Sequence, residues 1–186
     1  IDREAFERGT SVYLTDRVVP MLPQRLSNGI CSLHPGVDRL TLTCAMEIDA
    51  QGSVVDYQIY PAVINSSYRM TYEAVNAIYD GDKALIEEYD PIISTLYSMR
   101  DLHHILEAKR HRRGAINFDT TEAIIEVDDQ GHPISIKARE RGVGERLIES
   151  FMLVANETVA QSYHEKELPM IYRVHEQPDA CLLYTS

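Results

Sequence analysis

An irregular, proline-interrupted stretch over residues 8–39 constrains the fold of this chain more than any regular pattern in it. Pro20 and Pro23 exclude a continuous helix there, and neither can donate a hydrogen bond to a sheet ladder. Asn28-Gly29 and Pro35-Gly36 mark two turns. Seven apolar residues of the stretch nevertheless call for burial: Val18, Val19, Met21, Leu22, Leu26, Ile30 and Leu33. A long irregular segment with buried apolar residues is more typical of a binding loop than of a linker.

The remainder of the chain mixes strand pairs with helices. Period-two alternation over residues 40–48, a turn at 49–52 and a returning strand at 53–65 predict a hairpin. A second hairpin is predicted from strands at 122–127 and 133–138, with short strands at 11–14 and 168–175. Helices are predicted at 1–8, 70–79, 90–113 and 144–163, with Thr71 and Asp90 as N-caps of the second and third. The mixture predicts an α+β domain with a mixed, largely antiparallel sheet and packed helices.

Chain length, net charge and cysteine content limit the classes of function that this chain can have. The 186 residues suffice for one domain, and no apolar run is long enough to span a bilayer. The net charge of −11 argues against a broad electrostatic surface for nucleic acid, although it says nothing about local charge. Cys31, Cys44 and Cys181 lack metal-ligand spacing. They favour free thiols in a reducing, cytoplasmic compartment.

Several segments carry a resemblance to a known family. They are RGTSVYLTDRVVPMLPQRLSNGICSLHPGVDRLTL from Arg8, RGAINFD from Arg113, ERLIESFMLVAN from Glu145 and YRVHE from Tyr172. These segments are similar to the ribonuclease II / ribonuclease R family, and most similar to its ribonuclease R branch. The resemblance implies the central part of an RNB-type catalytic domain over residues 1–180. The last six residues, 181–186, depart from it and are interpreted as a foreign or frame-shifted tail.

The resemblance implies a parent protein that degrades RNA processively from a single-stranded 3′ end to 5′-monophosphates, using Mg²⁺. It places Glu149 in the catalytic site, where the matching glutamate positions substrate and does not hold metal; Asn156 could join it. Tyr13 and Phe118 match aromatic residues that stack on bases. Arg17, Arg25 and Arg39 are candidates for binding phosphate or for holding the loop. From the residues alone, Tyr13 and Phe118 could equally be core aromatics, and Glu149 could lie on a solvated helix face.

The resemblance assigns no metal ligand to this chain. The family's aspartate cluster lies upstream of the central signature, at a position before Ile1, so the 186 residues alone are expected to be inactive. Asp128-Asp129 precedes Gly131 and is interpreted as a hairpin turn. His103, His104 and His111 have no partner His or Cys at a metal-binding spacing.

Other interpretations remain open from the sequence. The basic cluster of Lys109, Arg110, Arg112 and Arg113 could bind phosphate, but cations at a helix C-terminus are favourable by themselves, which is the preferred interpretation. A non-catalytic RNA-binding module is the main alternative function, and an aspartate-rich segment upstream of Ile1 would argue against it. A metabolic enzyme would need a small-molecule pocket that the sequence does not reveal. No membrane or stable protein partner is implied, and exposed strand edges are expected to promote aggregation of the isolated chain.

Overall fold

The computed structural model describes residues 1–15, 17–115, 123–138 and 141–174. Its elements in chain order are helix α1 (Asp2–Arg8), strands β1 (Val12–Tyr13) and β2 (Val18–Val19), a π-helical turn (Arg25–Ile30), strands β3 (Asp38–Ile48) and β4 (Val54–Asn65), helices α2 (Tyr72–Tyr79), α3 (Lys83–Glu88) and α4 (Asp90–Arg112), strands β5 (Ala123–Val127) and β6 (Pro133–Ala138), and helix α5 (Val143–Glu165). The predicted α+β class is confirmed.

The strands form three separate two-stranded ribbons within the described residues: β1–β2, β3–β4 and β5–β6. Every pair is antiparallel, as predicted, but the expected larger sheet is divided. Both predicted hairpins are present, except that Glu122 lies outside the described residues. Residues 168–174 contain no strand, so the strand predicted there is wrong, and His175 is not described. Apolar residues alternating with polar ones do not form a strand when no neighbouring strand pairs with them.

The longest ribbon is anchored to α4 through its turn. Asp49 Oδ1 accepts hydrogen bonds from the backbone N–H groups of Gln51 (2.9 Å) and Ser53 (2.7 Å), which shapes the turn. Lys109 Nζ donates to the carbonyl of Gly52 at 2.9 Å. Gly52 has φ +82°, and a Cβ at this position would lie 3.2 Å from the carbonyl oxygen of Ile105. The turn therefore docks on the last turns of α4 only because residue 52 has no side chain.

The hydrophobic core lies among α2, α4 and α5. Its buried apolar members are Ile78, Leu96, Leu106 and Leu147. Several polar contacts also cross between these helices. His103 Nδ1 lies 2.9 Å from Ser150 Oγ, which joins α4 to α5. Asn76 on α2 accepts from the N–H of Gly144 at 2.8 Å and donates to Glu145 at 3.0 Å, which joins α2 to the first turn of α5. The helices are thus joined by specific polar pairs as well as by apolar burial.

The helix starts confirm one prediction and correct another. Thr71 caps α2, because its hydroxyl oxygen accepts a hydrogen bond from the N–H of Ala74 at 3.2 Å. Asp90 does not cap α4: the N-cap is Tyr89, and Asp90 lies inside the first turn with Pro91. The reason is the unpredicted helix α3, which Asp82 caps and which runs almost directly into α4. Six residues are too few to show a helical apolar stripe.

The expectation that the proline-interrupted stretch is buried is wrong for this chain. Val18, Val19, Ile30 and Leu33 are exposed, and Met21, Leu22 and Leu26 are half-buried. The expected buried face of β3 is also covered only at one end, since Leu40 is 87% exposed whereas Met46 and Ile48 are half-buried. Met46 and Ile48 lie next to the turn end of the ribbon, which docks on α4 through Lys109 and Gly52, whereas Leu40 pairs with Val63 towards the opposite end.

Two smaller observations complete the fold. Cys31 and Cys44 are free thiols, as expected, and Cys181 lies outside the described residues. None of the helices in the described part of the chain has the length and apolarity that a membrane crossing requires.

Candidate functional site

An open cleft of about 410 Å³ runs along α5 beside the N-terminus of α2. Helix α5 contributes most of its lining, because positions three and four apart share one helix face. The lining includes Tyr72, Arg141, Glu149, Met152, Leu153 and Asn156. The cleft therefore combines an aromatic ring, a carboxylate, an amide and a guanidinium above an apolar floor.

Glu149 is the acidic centre of this cleft. Its side chain is 39% exposed, and it lies between two arginines. Arg141 Nη2 donates a hydrogen bond to Oε2, and Arg110 Nη1 lies 3.8 Å from Oε1. Two partners fix the carboxylate while leaving part of it open to the cleft. The carboxylate is thus paired on both oxygens and partly open to the cleft, and a ligand-binding role for it stays a prediction.

Tyr72 is a cleft residue that the sequence analysis missed. It begins α2, and its half-exposed ring lines both the Glu149 cleft and a second cavity. The ring packs beside Gly144 at the start of α5. Tyr72 and Glu149 are distant in the sequence, and the packing of α2 on α5, with its Asn76–Glu145 and Asn76–Gly144 bonds, brings them together. No local pattern could have indicated it.

The second cavity, of about 450 Å³, is mainly apolar. It is bordered by Tyr68, Tyr79, Leu96, Met99 and Leu147. The Tyr79 hydroxyl donates to the carbonyl of Leu96 at 2.8 Å, and burial raises the pKa of this phenol, so the group is not available as an acid or base near neutral pH. Among the described residues, this cavity lacks the converging polar groups of a typical metabolic active site.

The structure places Tyr13 away from any core. Tyr13 lies on β1, pairs across the ribbon with Val18 and is 78% exposed. The alternative that Tyr13 is a core aromatic is therefore wrong for this chain. Tyr13 does not line the Glu149 cleft, and Phe118 lies outside the described residues. The convergence of Tyr13, Phe118 and Glu149 on one groove consequently stays a prediction.

The three signature arginines have different surroundings. Arg39 Nε donates to the carbonyl of Ser32 at 2.9 Å, and its Nη2 lies 3.4 Å from the carbonyl of Gly29. These bonds favour a loop-holding role for Arg39 over phosphate binding. Arg25 begins the π-helical turn and is exposed, and Arg17 is exposed between β1 and β2. Phosphate binding by Arg17 and Arg25 stays a prediction.

The basic cluster at the end of α4 is mostly committed to the fold. Besides the Lys109 bond to Gly52, Arg112 Nη2 donates to the carbonyl of Gln51 at 2.8 Å. Arg113 pairs with Glu157 at 3.2 Å, and Arg110 pairs with Glu149. The preferred structural interpretation is supported, although the sequence did not show that the ribbon turn supplies two of the acceptors.

The acidic residues of the described chain do not form a metal site by themselves. Asp128 Oδ1 accepts from the N–H groups of Gln130 (2.9 Å) and His132 (2.8 Å), so the turn interpretation is confirmed. Its backbone hydrogen bond with His132 is the main cause of a lowered pKa of the Asp128 carboxyl. In the described ranges, no group of three carboxylates could hold Mg²⁺, which prefers oxygen ligands. The resemblance places the Mg²⁺ ligands before Ile1, so the expectation of a Mg²⁺ site in the parent protein stays a prediction.

The sequence and the fold both match known proteins. Residues 1–184 match the description "RNB domain". The chain belongs to the RNB domain family. It is 59% identical over 180 residues to "Ribonuclease R 1" of Lactococcus lactis, a match that covers 97% of this chain and 22% of that protein.

Solved structures agree with this family assignment. The RNase R of Mycoplasma genitalium in complex with ribose-methylated single-stranded RNA has a TM-score of 0.86 and 34% identity, covering 99% of this chain and 29% of that chain. The same protein in complex with double-stranded RNA has a TM-score of 0.87 and 34% identity, covering 100% and 33%. The RNB fold of this chain is thereby shown. The chain spans only about a quarter of the length of its first curated relatives.

Proposed function

We propose that this chain is part of a hydrolytic 3′-to-5′ exoribonuclease that degrades RNA processively to 5′-monophosphates, and that it supplies substrate-binding residues. The observation that carries the proposal is the Glu149 cleft in a chain of the RNB domain family. Ribose hydroxyl groups are hydrogen-bond donors, and the open side of the Glu149 carboxylate can accept from them. Since the 2′-hydroxyl distinguishes RNA from DNA, a carboxylate at this place would favour RNA.

The other cleft residues fit the same ligand. Tyr72 offers a ring face against a sugar or base and a hydroxyl at its tip, and the Asn156 amide can both donate and accept. Arg141 and Arg110 hold the carboxylate in one orientation, so little conformational entropy is lost when the ligand binds. Exposed Tyr13, together with Phe118, would stack on bases, which contributes about 1–3 kcal/mol per base without sequence preference.

Chemistry at the scissile phosphate would depend on residues outside the described part of this chain. When bound, Mg²⁺ ions activate water and stabilise the leaving oxygen of an in-line displacement. The role of the described residues is to hold the RNA end in register with that centre. The 186 residues alone are therefore expected to bind RNA without cleaving it.

A direct assay tests the proposed activity. The intact parent protein and the isolated chain are each incubated with a 5′-labelled single-stranded RNA and Mg²⁺, and the products are separated by size. The parent protein is expected to shorten the strand from its 3′ end and release 5′-monophosphates, and the isolated chain is expected to leave it intact. Internal cleavage by the parent protein, or trimming by the isolated chain, would contradict the proposal.

A non-catalytic RNA-binding module is the second candidate, because the cleft residues Glu149, Tyr72 and Asn156 are of a kind that can hold a ligand without any metal. It predicts that the parent protein binds the labelled strand and never shortens it. Sequence upstream of Ile1 discriminates further, because an aspartate-rich segment there would supply the missing ligands.

A further inference from the structure

A histidine- and carboxylate-containing cluster lies on the middle of α4, outside the Glu149 cleft. His103, His104 and Glu107 each present one potential ligand atom, and these atoms all lie within 4.8 Å of one another. His103 and Glu107 are four residues apart and so share one helix face. No role in the proposed RNA-binding function uses any of the three.

The neighbouring helix fixes the orientation of His103. The residue is 3% exposed, and its Nδ1 lies 2.9 Å from Ser150 Oγ on α5. Its Nε2 is turned towards Glu107, with 3.8 Å between Nε2 and Oε2. A histidine that binds metal usually donates its other ring N–H to a fixed acceptor, which sets the tautomer and the ring orientation. Ser150 occupies the place of that acceptor.

The other two ligands lie on the solvent side. His104 is exposed, its ring centroid lies 5.3 Å from that of His103, and Glu107 is half-buried. Zn²⁺ bonds of about 2.0–2.2 Å in tetrahedral geometry require the ligand atoms to be somewhat closer than they are here. Side-chain rotation of His104 and Glu107 can supply that approach, since neither is enclosed. The open side leaves room for water as a fourth ligand.

Ligand type and local charge decide which ion would fit. Two imidazoles and one carboxylate suit Zn²⁺ and not Mg²⁺, which prefers oxygen ligands and octahedral geometry. Glu107 contributes a negative charge next to His103, whereas Arg110 and Arg146 act on the same imidazole with positive charge. The affinity is therefore expected to be moderate.

We propose that His103, His104 and Glu107 form a Zn²⁺ site, completed by water, that strengthens the attachment of α4 to α5 through Ser150. The proposal is independent of the nuclease activity, because it concerns only ligands on α4 and their support from α5.

Cobalt titration tests this site. The intact parent protein is stripped with EDTA, exchanged into metal-free buffer and titrated with Co²⁺, whose visible absorption is strong in four-coordinate sites and weak in octahedral ones. A saturable four-coordinate spectrum that Zn²⁺ displaces is expected. His104→Ala and Glu107→Gln are each expected to weaken Co²⁺ binding at this site about tenfold or more, in line with the loss of a ligand contact.

His111→Ala is the matched control, because His111 is an exposed histidine on the same helix and lies outside the cluster. It should leave the spectrum and the affinity unchanged. Thermal melting gives a second readout: Zn²⁺ should raise the melting temperature of the wild type and of His111→Ala, but not that of His104→Ala. The proposal is overturned if no four-coordinate spectrum develops, or if His104→Ala and Glu107→Gln bind Co²⁺ as the control does.

Discussion

The helical layer of α2, α4 and α5 and the irregular stretch over residues 8–39 use similar apolar side chains in opposite ways. The helices bury Ile78, Leu96, Leu106 and Leu147 against one another. The irregular stretch leaves large apolar residues such as Ile30, 72% exposed, on the surface. Its links are hydrogen bonds instead, including those from Arg39 to the carbonyls of Ser32 and Gly29.

The helical layer supplies stability, whereas the irregular stretch presents exposed side chains at the surface. Apolar burial contributes about 25 cal/mol per Å², so the helical layer carries most of the stability that the described residues can supply. Glu149 and Tyr72 lie on that layer and are held in place, whereas Tyr13, Arg17 and Arg25 lie on the part with little burial. We therefore expect changes in the helices to alter stability, and changes in the irregular stretch to alter ligand binding with little effect on stability.

The largest expected effect comes from truncating a side chain in the helical layer. Leu147 is 2% exposed between the packed helices, so Leu147→Ala should lower the free energy of unfolding by about 2–5 kcal/mol. Leu40→Ala is the matched control, since Leu40 is almost fully exposed on β3, and should cost no more than about 0.5 kcal/mol. Urea unfolding followed by circular dichroism measures both. Equal losses would remove the contrast between the two regions.

A smaller effect is expected at the turn that docks on α4. Gly52→Ala should destabilise by more than the roughly 1–2 kcal/mol that a left-handed backbone costs an L residue, because the new Cβ would also press on Ile105. Gly81→Ala isolates the backbone cost, since Gly81 has φ +93° with open space around it. Thermal melting of both variants provides the comparison. If Gly81→Ala is as damaging as Gly52→Ala, the docking of the turn contributes little.

A still smaller effect is expected from the pH dependence of the free energy of unfolding, through His103 in the helical layer. Burial lowers the pKa of the His103 imidazole below its ordinary value, so the folded state binds a proton less readily than the unfolded state does. This contribution to stability is complete above about pH 6.5 and is lost as the pH falls through the lowered folded-state pKa. Urea midpoints at pH 7.5 and pH 5 should therefore differ less in His103→Gln than in the wild type. An unchanged difference would show that other groups cause the acid sensitivity.

The sequence predicted the features that depend on local chemistry. Thr71 caps α2, Asp128 shapes its hairpin turn, and period-two alternation correctly placed the first long hairpin. Prediction from the sequence failed where the position or burial of a residue depends on partners that are distant in the sequence. The position of Tyr72 in the cleft depends on the bonds from Asn76 to the start of α5. The exposure of Leu40 depends on which elements cover the ribbon, which alternation cannot reveal.

The candidate site shows the same limit. The resemblance placed Glu149 in the site, and its position among apolar helical residues indicated only that the carboxylate needs a partner or an opening. Its partners Arg110 and Arg141 come from the end of α4 and from the segment before α5, and only packing identifies them. Arg39 was expected either to bind phosphate or to hold the loop, and its carbonyl bonds favour the second role.

The role of Glu149 is the central claim, and equilibrium RNA binding tests it most directly. A fluorescein-labelled single-stranded RNA is titrated with the intact parent protein in EDTA, which prevents metal-dependent cleavage, and a DNA strand of the same sequence serves as the ligand control. Glu149→Gln keeps the shape of the side chain and removes its charge. Glu157→Gln is the matched variant, because Glu157 lies on the same helix and also pairs with an arginine, Arg113.

The account predicts that Glu149→Gln weakens RNA binding about tenfold, in line with the roughly 1.5–3 kcal/mol of a hydrogen bond to a charged group, and changes DNA binding little. Glu157→Gln should bind both strands as the wild type does. RNA affinity that is unchanged in Glu149→Gln, or lowered equally in both variants, would contradict the assignment of this cleft to the RNA end.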